Sequence, residues 1–220
     1  MSRIAAFYRV EGTLISRPTL ATAAWFAANA QGVSERVTRI GQVALAVPLT
    51  MTKSLGIASL GARMTWMGLR GISEDRLREL AREYWEDWLR DEVCKRGLEL
   101  VKGSQKRGHR IILISDNIDL VVQPLAEMLR AERCVCNRLE IRNEEATGRL
   151  CDPIVSGSVA GQWIRRFAEE HEIALEQSCG YGASVSDSLL LSALGHPCAV
   201  NPDWQLRRLA SDHAWPVVDG

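Results

Sequence analysis

Two short apolar runs, residues 3–8 and 110–115, are the feature that most constrains the fold of this chain. Runs of this length that are bounded by polar or glycine residues are typical of strands buried on both faces, as in a parallel sheet. Further extended segments, at residues 133–141, 178–182 and 197–200, alternate with segments of helical periodicity. Strands that alternate with helices are typical of βαβ units. We therefore predict an α/β fold with a doubly wound parallel sheet.

Between the first two runs, the sequence has the pattern of helices. Residues 19–30 are rich in alanine, a strong helix former. Residues 73–95 give the clearest pattern: a serine is suited to cap the helix, acidic residues occupy its first turn, and apolar residues recur at helical spacing. We therefore predict an all-helical cap, residues 18–99, inserted into an α/β core formed by residues 1–17 and 100–220.

Within this cap, residues 37–69 are apolar, contain several methionines and carry few charges. Two interpretations are open: the segment forms the core of the cap, or it forms an exposed face that contacts a protein partner or lipid. Tyr84, Trp85 and Trp88 lie at helical spacing, which favours the core of the cap over a face that stacks on a ligand. We expect a protein partner, or oligomerisation, through the cap.

The composition excludes several classes of function. Lys plus Arg and Asp plus Glu number 27 each, so the chain lacks the basic excess that is typical of nucleic-acid-binding proteins. The longest uncharged stretch, residues 18–34, contains several polar residues and is shorter than the roughly 20 apolar residues of a spanning helix. We expect neither nucleic-acid binding nor a transmembrane segment.

The six cysteines need a separate explanation. Disulfide frameworks are typical of short secreted chains with an export signal, and the first residues of this sequence have no apolar signal core. We therefore expect reduced, buried thiols in a cytoplasmic protein. Cys134 and Cys136 lie close together, but no second pair of cysteines or histidines follows at zinc-site spacing, so we expect strand thiols there.

Polar residues follow three of the predicted strands. In an open parallel sheet, ligands bind beyond the carboxyl ends of the strands, so these residues are candidates for a functional site. Arg9 and Glu11 follow the first strand, Ser115 and Asp116 follow the second, and Asp187 lies shortly after a later one.

These segments resemble the motifs of the haloacid dehalogenase-like (HAD) superfamily, in its phosphoserine-phosphatase-like branch with a helical cap after the first motif. Residues 8–14 match the frame of the family's Asp-x-Asp-Gly-Thr motif. Residues 111–115 match its second motif, a strand that ends in Ser or Thr, and residues 182–187 match the frame of its Gly-Asp-x-x-x-Asp motif. Residues 189–203 are also similar to that branch, and the likeness covers the chain except the cap, which is similar only in being helical. It implies a Rossmannoid core and magnesium-dependent hydrolysis of a phosphomonoester.

The resemblance also assigns positions to the family's catalytic groups. The nucleophilic aspartate falls on Arg9, and the aspartate that acts as general acid and base falls on Glu11. The lysine that balances the phosphorylated intermediate falls on Ala160, and a magnesium-ligating aspartate falls on Ala183. Two family positions, Ser115 and Asp187, keep their identity.

These replacements remove the chemistry that the family uses. An arginine is always protonated and cannot attack phosphorus, and magnesium requires oxygen ligands. We therefore expect no magnesium, no intact catalytic set and no enzymatic activity: a pseudophosphatase that acts by binding a partner protein or an anionic ligand. Two alternatives remain, a phosphomonoester hydrolase with a non-standard site that uses Glu11, Ser115 and Asp187, and a complex- or lipid-associated subunit that uses the apolar cap.

Two roles are open for Arg9. In the first, its guanidinium replaces the metal and bridges Glu11 and Asp187, with Asp116 as a further partner, because a buried charge must be paired. In the second, Arg9 and the loop amides bind an anion.

Overall fold

The computed structural model describes residues 3–29, 33–48 and 55–220, without the side chains of residues 33–36, 55–59, 157–160 and 162. Within these ranges, six strands form one parallel sheet and two further strands form a hairpin. In chain order, the strands are β1 (Ala5–Arg9), β2 (Arg110–Ile118), β3 (Arg133–Asn137), β4 (Leu139–Arg142), β5 (Glu145–Leu150), β6 (Cys179–Gly182), β7 (His196–Val200) and β8 (Val217–Val218).

The order of strands in the sheet is β3-β2-β1-β6-β7-β8. The chain therefore builds one half of the sheet outward from β1, returns to the other side of β1 and builds the second half. Ala6 of β1 pairs with Ile111 on one side and with Cys179 on the other. Every residue of β1 is buried, as expected for the centre of a sheet that is covered on both faces. The predicted doubly wound α/β fold is confirmed.

Helices cover both faces of this sheet, and others pack on one another in the connection from β1 to β2. They are α1 (Thr19–Ala28), α2 (Val33–Ala44), α3 (Leu55–Thr65), α4 (Glu74–Tyr84), α5 (Lys95–Lys106), α6 (Asp119–Met128), α7 (Gly157–Glu170), α8 (Ser188–Ser192) and α9 (Trp204–Asp212). Alternate residues of β1 enter separate cores: Tyr8 joins the core that contains Val101 of α5, whereas Phe7 joins the core that contains Ile164 of α7. None of the described helices combines the length and the apolar character that crossing a bilayer requires.

The connection from β1 to β2 is helical, as predicted, but the helix expected over residues 73–95 is interrupted. Ser73 caps α4 by accepting a hydrogen bond from the backbone of Arg76, as its position predicts. The helix ends at Tyr84, and a π-helical turn (Trp85–Leu89) and a 3₁₀ turn (Arg90–Glu92) follow. The prediction of one continuous helix was wrong, because the backbone beyond these turns becomes extended to pair with the loop that follows β1, where Cys94 donates to the carbonyl of Leu14 at 2.8 Å.

A polar contact ties the helical segment to the end of β2. The side-chain amide of Asn117 donates to the hydroxyl of Thr22 in α1 at 3.2 Å, and that hydroxyl lies 3.1 Å from the hydroxyl of Tyr84. All three side chains are buried. Tyr84 therefore belongs to the core of the helical segment, whereas Trp88 is nearly half exposed and lies against the guanidinium of Arg17.

Residues 37–69 are divided between the core and the surface. Val43, Trp66 and Leu69 are buried, but other large apolar side chains of the segment are exposed. The apolar residues Leu49 and Met51 lie outside the described residues. Neither interpretation of this segment, as cap core or as exposed face, therefore accounts for all of its described side chains.

Candidate functional site

The carboxyl ends of β1, β2 and β6 bring the residues of the candidate site together. Arg9 is the last residue of β1, and Glu11 lies in the loop that follows. Ser115 and Asp116 lie in β2, which continues to Ile118 and is longer than predicted. Asp187 ends a 3₁₀ turn (Val185–Asp187) shortly after β6. Neighbouring parallel strands thus deliver one basic and three acidic side chains to one edge of the sheet.

The guanidinium of Arg9 lies among three carboxylates. Its Nε is 2.9 Å from Oδ1 of Asp187, its Nη2 is 2.8 Å from Oδ1 of Asp116, and the same Nη2 is 3.7 Å from Oε2 of Glu11. Both close contacts are ion pairs. Asp116 is therefore a closer partner than Glu11, although the family's geometry favours Glu11.

Burial and ion pairing shift the pKa of the Arg9 guanidinium in opposite directions. Only 3% of the Arg9 side chain is exposed, and burial lowers the pKa of the guanidinium. The carboxylates of Asp116, Asp187 and Glu11 outweigh burial and hold that pKa above its ordinary value. Arg9 is therefore a permanent cation at the end of β1.

Glu11 is held by β2 rather than presented to a ligand. Its Oε1 accepts a hydrogen bond from the hydroxyl of Ser115, and its Oε2 accepts one from the backbone of Asp116 at 3.2 Å. Burial raises the pKa of the Glu11 carboxyl, and the neighbouring arginine only partly offsets this rise. Ser115, in turn, accepts a hydrogen bond from the backbone of Asn117 at 3.0 Å. In this arrangement Ser115 orients Glu11.

Asp187 joins the loop after β6 to Arg9. Its Oδ2 accepts hydrogen bonds from the backbone of Ala183 and of Ser184, both at 3.0 Å, while its Oδ1 faces the guanidinium. Burial raises the pKa of this carboxyl despite these contacts. A Cβ at Gly12, whose φ is +79°, would lie 2.7 Å from the Cβ of Ala183. A glycine at position 12 therefore lets the loops after β1 and β6 approach closely.

Sequence reasoning missed Asn137, which braces the site from the end of β3. Its side-chain amide donates to the carbonyl of Asp116 at 2.7 Å and to that of Val155 at 2.9 Å, and its oxygen accepts from the backbone of Val155 at 2.8 Å. Asn137 is almost completely buried. The predicted extended segment, residues 133–141, runs through Asn137 instead of ending there, so the rule that identified Ser115 and Asp116 did not point to it.

The position of the family's lysine is only partly described. Ala160 lies in the first turn of α7, and its side chain is outside the described residues. The remaining guanidinium nitrogen of Arg9, Nη1, is buried and has no hydrogen-bond acceptor among the described residues. A buried donor without a hydrogen-bond acceptor lowers the free energy of unfolding, and the ion pairs of Arg9 must offset this loss.

The family resemblance implies a magnesium ion at this edge of the sheet. Magnesium prefers six oxygen ligands at about 2.0–2.1 Å in octahedral geometry. Here the carboxylates of Asp116 and Asp187 face a guanidinium within 2.9 Å, and Ala183, to which the resemblance assigns a ligand position, has a methyl group that cannot coordinate a metal. A dication beside the permanent charge of Arg9 would be repelled. The residues present therefore do not fit magnesium.

The cysteines and histidines form no second site in the described part of the chain. All six cysteines are free, and each is partly exposed rather than buried as predicted. Hydrogen bonding to Cys136, together with burial, raises the pKa of the Cys134 thiol. Among the described residues, no group of three or more His, Cys, Asp and Glu side chains has the arrangement of a metal site.

Comparison with known proteins places these observations in a family. A family model described as haloacid dehalogenase-like hydrolase matches residues 6–192. The chain is 27% identical over 150 residues to the "Inhibition of morphological differentiation protein" of Streptomyces azureus, over 68% of this chain and 54% of that protein. It is 28% identical over 143 residues to a probable phosphatase of Mycobacterium tuberculosis, over 65% of this chain and 50% of that protein. The chain spans about half the length of these two relatives.

Solved structures share the fold. The crystal structure of a protein of unknown function from Bordetella pertussis has a TM-score of 0.81 at 21% identity and covers 100% of this chain and 99% of its own. An apo phosphoserine phosphatase has a TM-score of 0.71 at 15% identity and covers 98% of this chain and 93% of its own. The family model matches most of the sequence, and the strand-end geometry lies within the matched residues. The chain therefore belongs to the haloacid dehalogenase-like hydrolase family.

Proposed function

We propose that this chain is a pseudophosphatase, a family member that does not hydrolyse phosphomonoesters by the metal-dependent route and acts by binding another molecule. The observation that supports this most directly is the guanidinium of Arg9 between the carboxylates of Asp116 and Asp187. A permanent cation there does the electrostatic work of a bound metal ion, because it compensates the buried carboxylates. It does so without offering a coordination site to a phosphate.

Of the described side chains, neither Arg9 nor Glu11, which follow the first strand as the family's two aspartates do, is a suitable replacement nucleophile. Arg9 has no lone pair to donate. Glu11 is mostly buried and both of its carboxylate oxygens accept hydrogen bonds. In triad enzymes, removal of a nucleophile alone costs on the order of a million-fold in turnover.

The charge of the site favours a partner protein over a phosphate-like anion. One guanidinium faces three carboxylates, so the four side chains carry a formal charge of about −2 when all are ionised. The exposed part of the cluster is mainly the carboxylate of Asp116, since Arg9 is almost fully buried. An approaching anion would thus meet negative charge before it reached the guanidinium.

The second candidate is a phosphomonoester hydrolase with a non-standard site. It is favoured by the names of relatives, among them the probable phosphatase of Mycobacterium tuberculosis, and by the Ser115–Glu11 hydrogen bond, which pairs a hydroxyl with a carboxylate. In this candidate, Glu11 accepts a proton from an attacking group.

One set of measurements distinguishes the two candidates. The purified protein and its Glu11→Gln variant are assayed with p-nitrophenyl phosphate and magnesium, and isothermal titration measures magnesium binding to both. We expect no turnover above that of the variant, no saturable magnesium binding, and no binding of beryllium fluoride, which mimics a phosphorylated aspartate. Turnover in the wild-type protein that disappears in Glu11→Gln would overturn the pseudophosphatase proposal and favour the hydrolase.

A further inference from the structure

Exposed apolar side chains and arginines occur together on a second surface, which shares no residue with the strand-end site. Val37 of α2 and Leu45, which directly follows that helix, are 70% and 63% exposed, and Leu60 of α3 and the nearby Met67 are 48% and 45% exposed. Large apolar side chains exposed as a group usually mark a site of interaction. We call these four residues, together with Ile40, which is also exposed, the apolar surface.

A cavity of about 430 Å³ opens beside this surface, between α3 and the β4–β5 hairpin. Leu60 and Met67 of the apolar surface line it, together with Met64 and Leu150, and α2 borders it through Gln42. The cavity therefore continues the apolar surface toward the hairpin.

The hairpin is held firmly against the helical segment. The backbone of Gly71 donates to Ala146 at 2.8 Å, and the backbone of Ala146 donates to Ile72 at 2.9 Å. A Cβ at Gly148, whose φ is +77°, would lie 3.0 Å from the carbonyl oxygen of Met67. Close backbone packing thus fixes the position of the hairpin relative to Met67. The same packing defines the wall of the cavity that the hairpin forms.

Three arginines, Arg63, Arg70 and Arg149, also line the cavity. Acidic residues lie near them: Glu140 and Glu145 line a neighbouring cavity together with Arg70 and Arg149. Arg63 pairs with Asp152 at 2.8 Å, through side chains that are both largely exposed, and Glu140 lies close enough to Arg149 to interact with it electrostatically. The acidic side chains offset part of this positive charge, but the described lining of the cavity itself contains the three arginines and no acidic residue.

The sequence around the apolar surface is basic, although the whole chain is neutral. Residues 18–72 contain five basic residues, Arg36, Arg39, Lys53, Arg63 and Arg70, against one acidic residue, Glu35. The difference of five and one gives this segment a formal charge of +4, whereas 27 basic and 27 acidic residues balance over the chain. Exposed apolar residues and excess positive charge therefore occur in the same segment of the sequence, and Arg63 and Arg70 line the cavity beside the apolar surface.

We propose that the apolar surface and its arginines dock this protein on a bilayer that contains anionic lipid. Apolar side chains on an amphipathic helix insert at the boundary of headgroups and acyl chains, while arginines beside them contact lipid phosphates. Charge complementarity favours this occupant over a neutral membrane and over a second copy of the same basic surface, which would repel it. The inference goes beyond the proposed function and does not depend on the Arg9 site.

Vesicle sedimentation tests this proposal. The full chain is mixed at low salt with vesicles of phosphatidylcholine alone or of phosphatidylcholine with about 30% phosphatidylglycerol. We expect binding to the anionic vesicles only, and weaker binding as salt rises. Arg70→Gln and Arg149→Gln should each weaken binding about five-fold, which corresponds to about 1 kcal/mol per basic residue at an anionic surface. The double change Val37→Asp and Leu45→Asp should abolish it.

Two matched controls use exposed residues elsewhere in the chain. Arg166, whose side chain is 83% exposed, and Trp204, which is 72% exposed, both lie outside the helical segment. Arg166→Gln and Trp204→Gln should bind vesicles like the wild type. If the double aspartate variant does not fold, as judged by circular dichroism, the two single arginine variants on the cavity rim decide the outcome.

Several results would overturn the docking proposal. They are equal binding to neutral and anionic vesicles, no binding to either, or unchanged binding by the arginine variants. Self-association that the double aspartate variant loses, without any vesicle binding, would assign the surface to a second copy of the chain. Capture of an acidic protein without vesicle binding would assign it to a protein partner.

Discussion

Nε of Arg9 and Oδ1 of Asp187 lie 2.9 Å apart, although one residue ends the first strand and the other follows the sixth. Both side chains are almost completely buried. Burial of an unpaired charge destabilises the folded state. The attraction between Arg9 and Asp187 therefore offsets the desolvation cost of burying both side chains. The pair therefore fastens the loop after β6 to the end of β1, at the edge where the family's chemistry takes place.

Removal of the guanidinium should destabilise the fold. Arg9→Ala leaves the carboxylates of Asp187 and Asp116 without their cation, and loss of one partner of a buried pair costs about 3–5 kcal/mol. Urea denaturation followed by circular dichroism should show this loss in the free energy of unfolding at pH 7. Arg166→Ala removes an exposed arginine and is the matched control, with an expected change within about 0.5 kcal/mol. Equal stability of the two variants would show that the ion pairs of Arg9 do not stabilise the fold.

The pH dependence of stability should report the buried Glu11. Burial raises the pKa of this carboxyl above its ordinary value of about 4.3, so the folded state holds the proton more tightly than the unfolded state does. Its contribution to the free energy of unfolding is therefore present below about pH 4.3 and is lost as pH rises through the raised pKa. Glu11→Gln should gain stability relative to the wild type as pH rises above about 4.3 and through the raised pKa of Glu11.

The difference between the pH profiles of wild type and Glu11→Gln isolates the contribution of Glu11 to the free energy of unfolding. The Ser115 hydroxyl and the Asp116 backbone, which donate to Glu11, can be accommodated by an amide, because the hydroxyl can also accept. Burial lowers the pKa of His109, which adds an opposite slope near pH 6, but this slope is common to both proteins and cancels in the difference. Parallel unfolding profiles for wild type and Glu11→Gln would contradict the prediction.

The sequence was sufficient to predict the parallel sheet and the edge where the site lies. Short apolar runs such as residues 110–115 are strong local signals, and polar residues that follow them must meet at one edge. Which acid pairs most closely with Arg9 was not predictable, because that depends on the course of β2 beyond Ser115. Continuation of this strand to Ile118 places Asp116 nearer to Arg9 than Glu11 is.

The interruption of the helix after Tyr84 shows a different limit. Apolar spacing continues through Trp88, so the local pattern favours a longer helix. The chain departs from it because Val93 pairs with Ile15, a contact between distant parts of the sequence. Asn137 was missed for a related reason: its importance lies in contacts to Val155 and Asp116, which only the fold brings together.

Restoration of hydrolysis should require several changes together. Arg9→Asp alone supplies a carboxylate, but Ala160 and Ala183 still lack the lysine and the metal ligand of the family positions. We expect no phosphatase activity from this single change. The combination of Arg9→Asp, Glu11→Asp, Ala160→Lys and Ala183→Asp is the smallest set with a physical route to activity. Release of p-nitrophenol in the presence of magnesium measures it, and activity of Arg9→Asp alone would contradict this account.

Packing of α5 against the loop after β1 provides the last test, because Gly97 and Gly103 lie in the same helix with different surroundings. A Cβ at Gly97 would lie 2.5 Å from the carbonyl oxygen of Thr13, in the loop that follows Arg9 and Glu11. That atom is backbone and cannot move aside, so Gly97→Ala should destabilise the fold by about 1–3 kcal/mol. At Gly103, the nearest atom is the flexible end of Arg107 at 3.7 Å, so Gly103→Ala should stabilise the helix by about 0.5–1 kcal/mol. Urea denaturation of both variants measures the contrast, and a stabilising Gly97→Ala would show that α5 does not fix this loop.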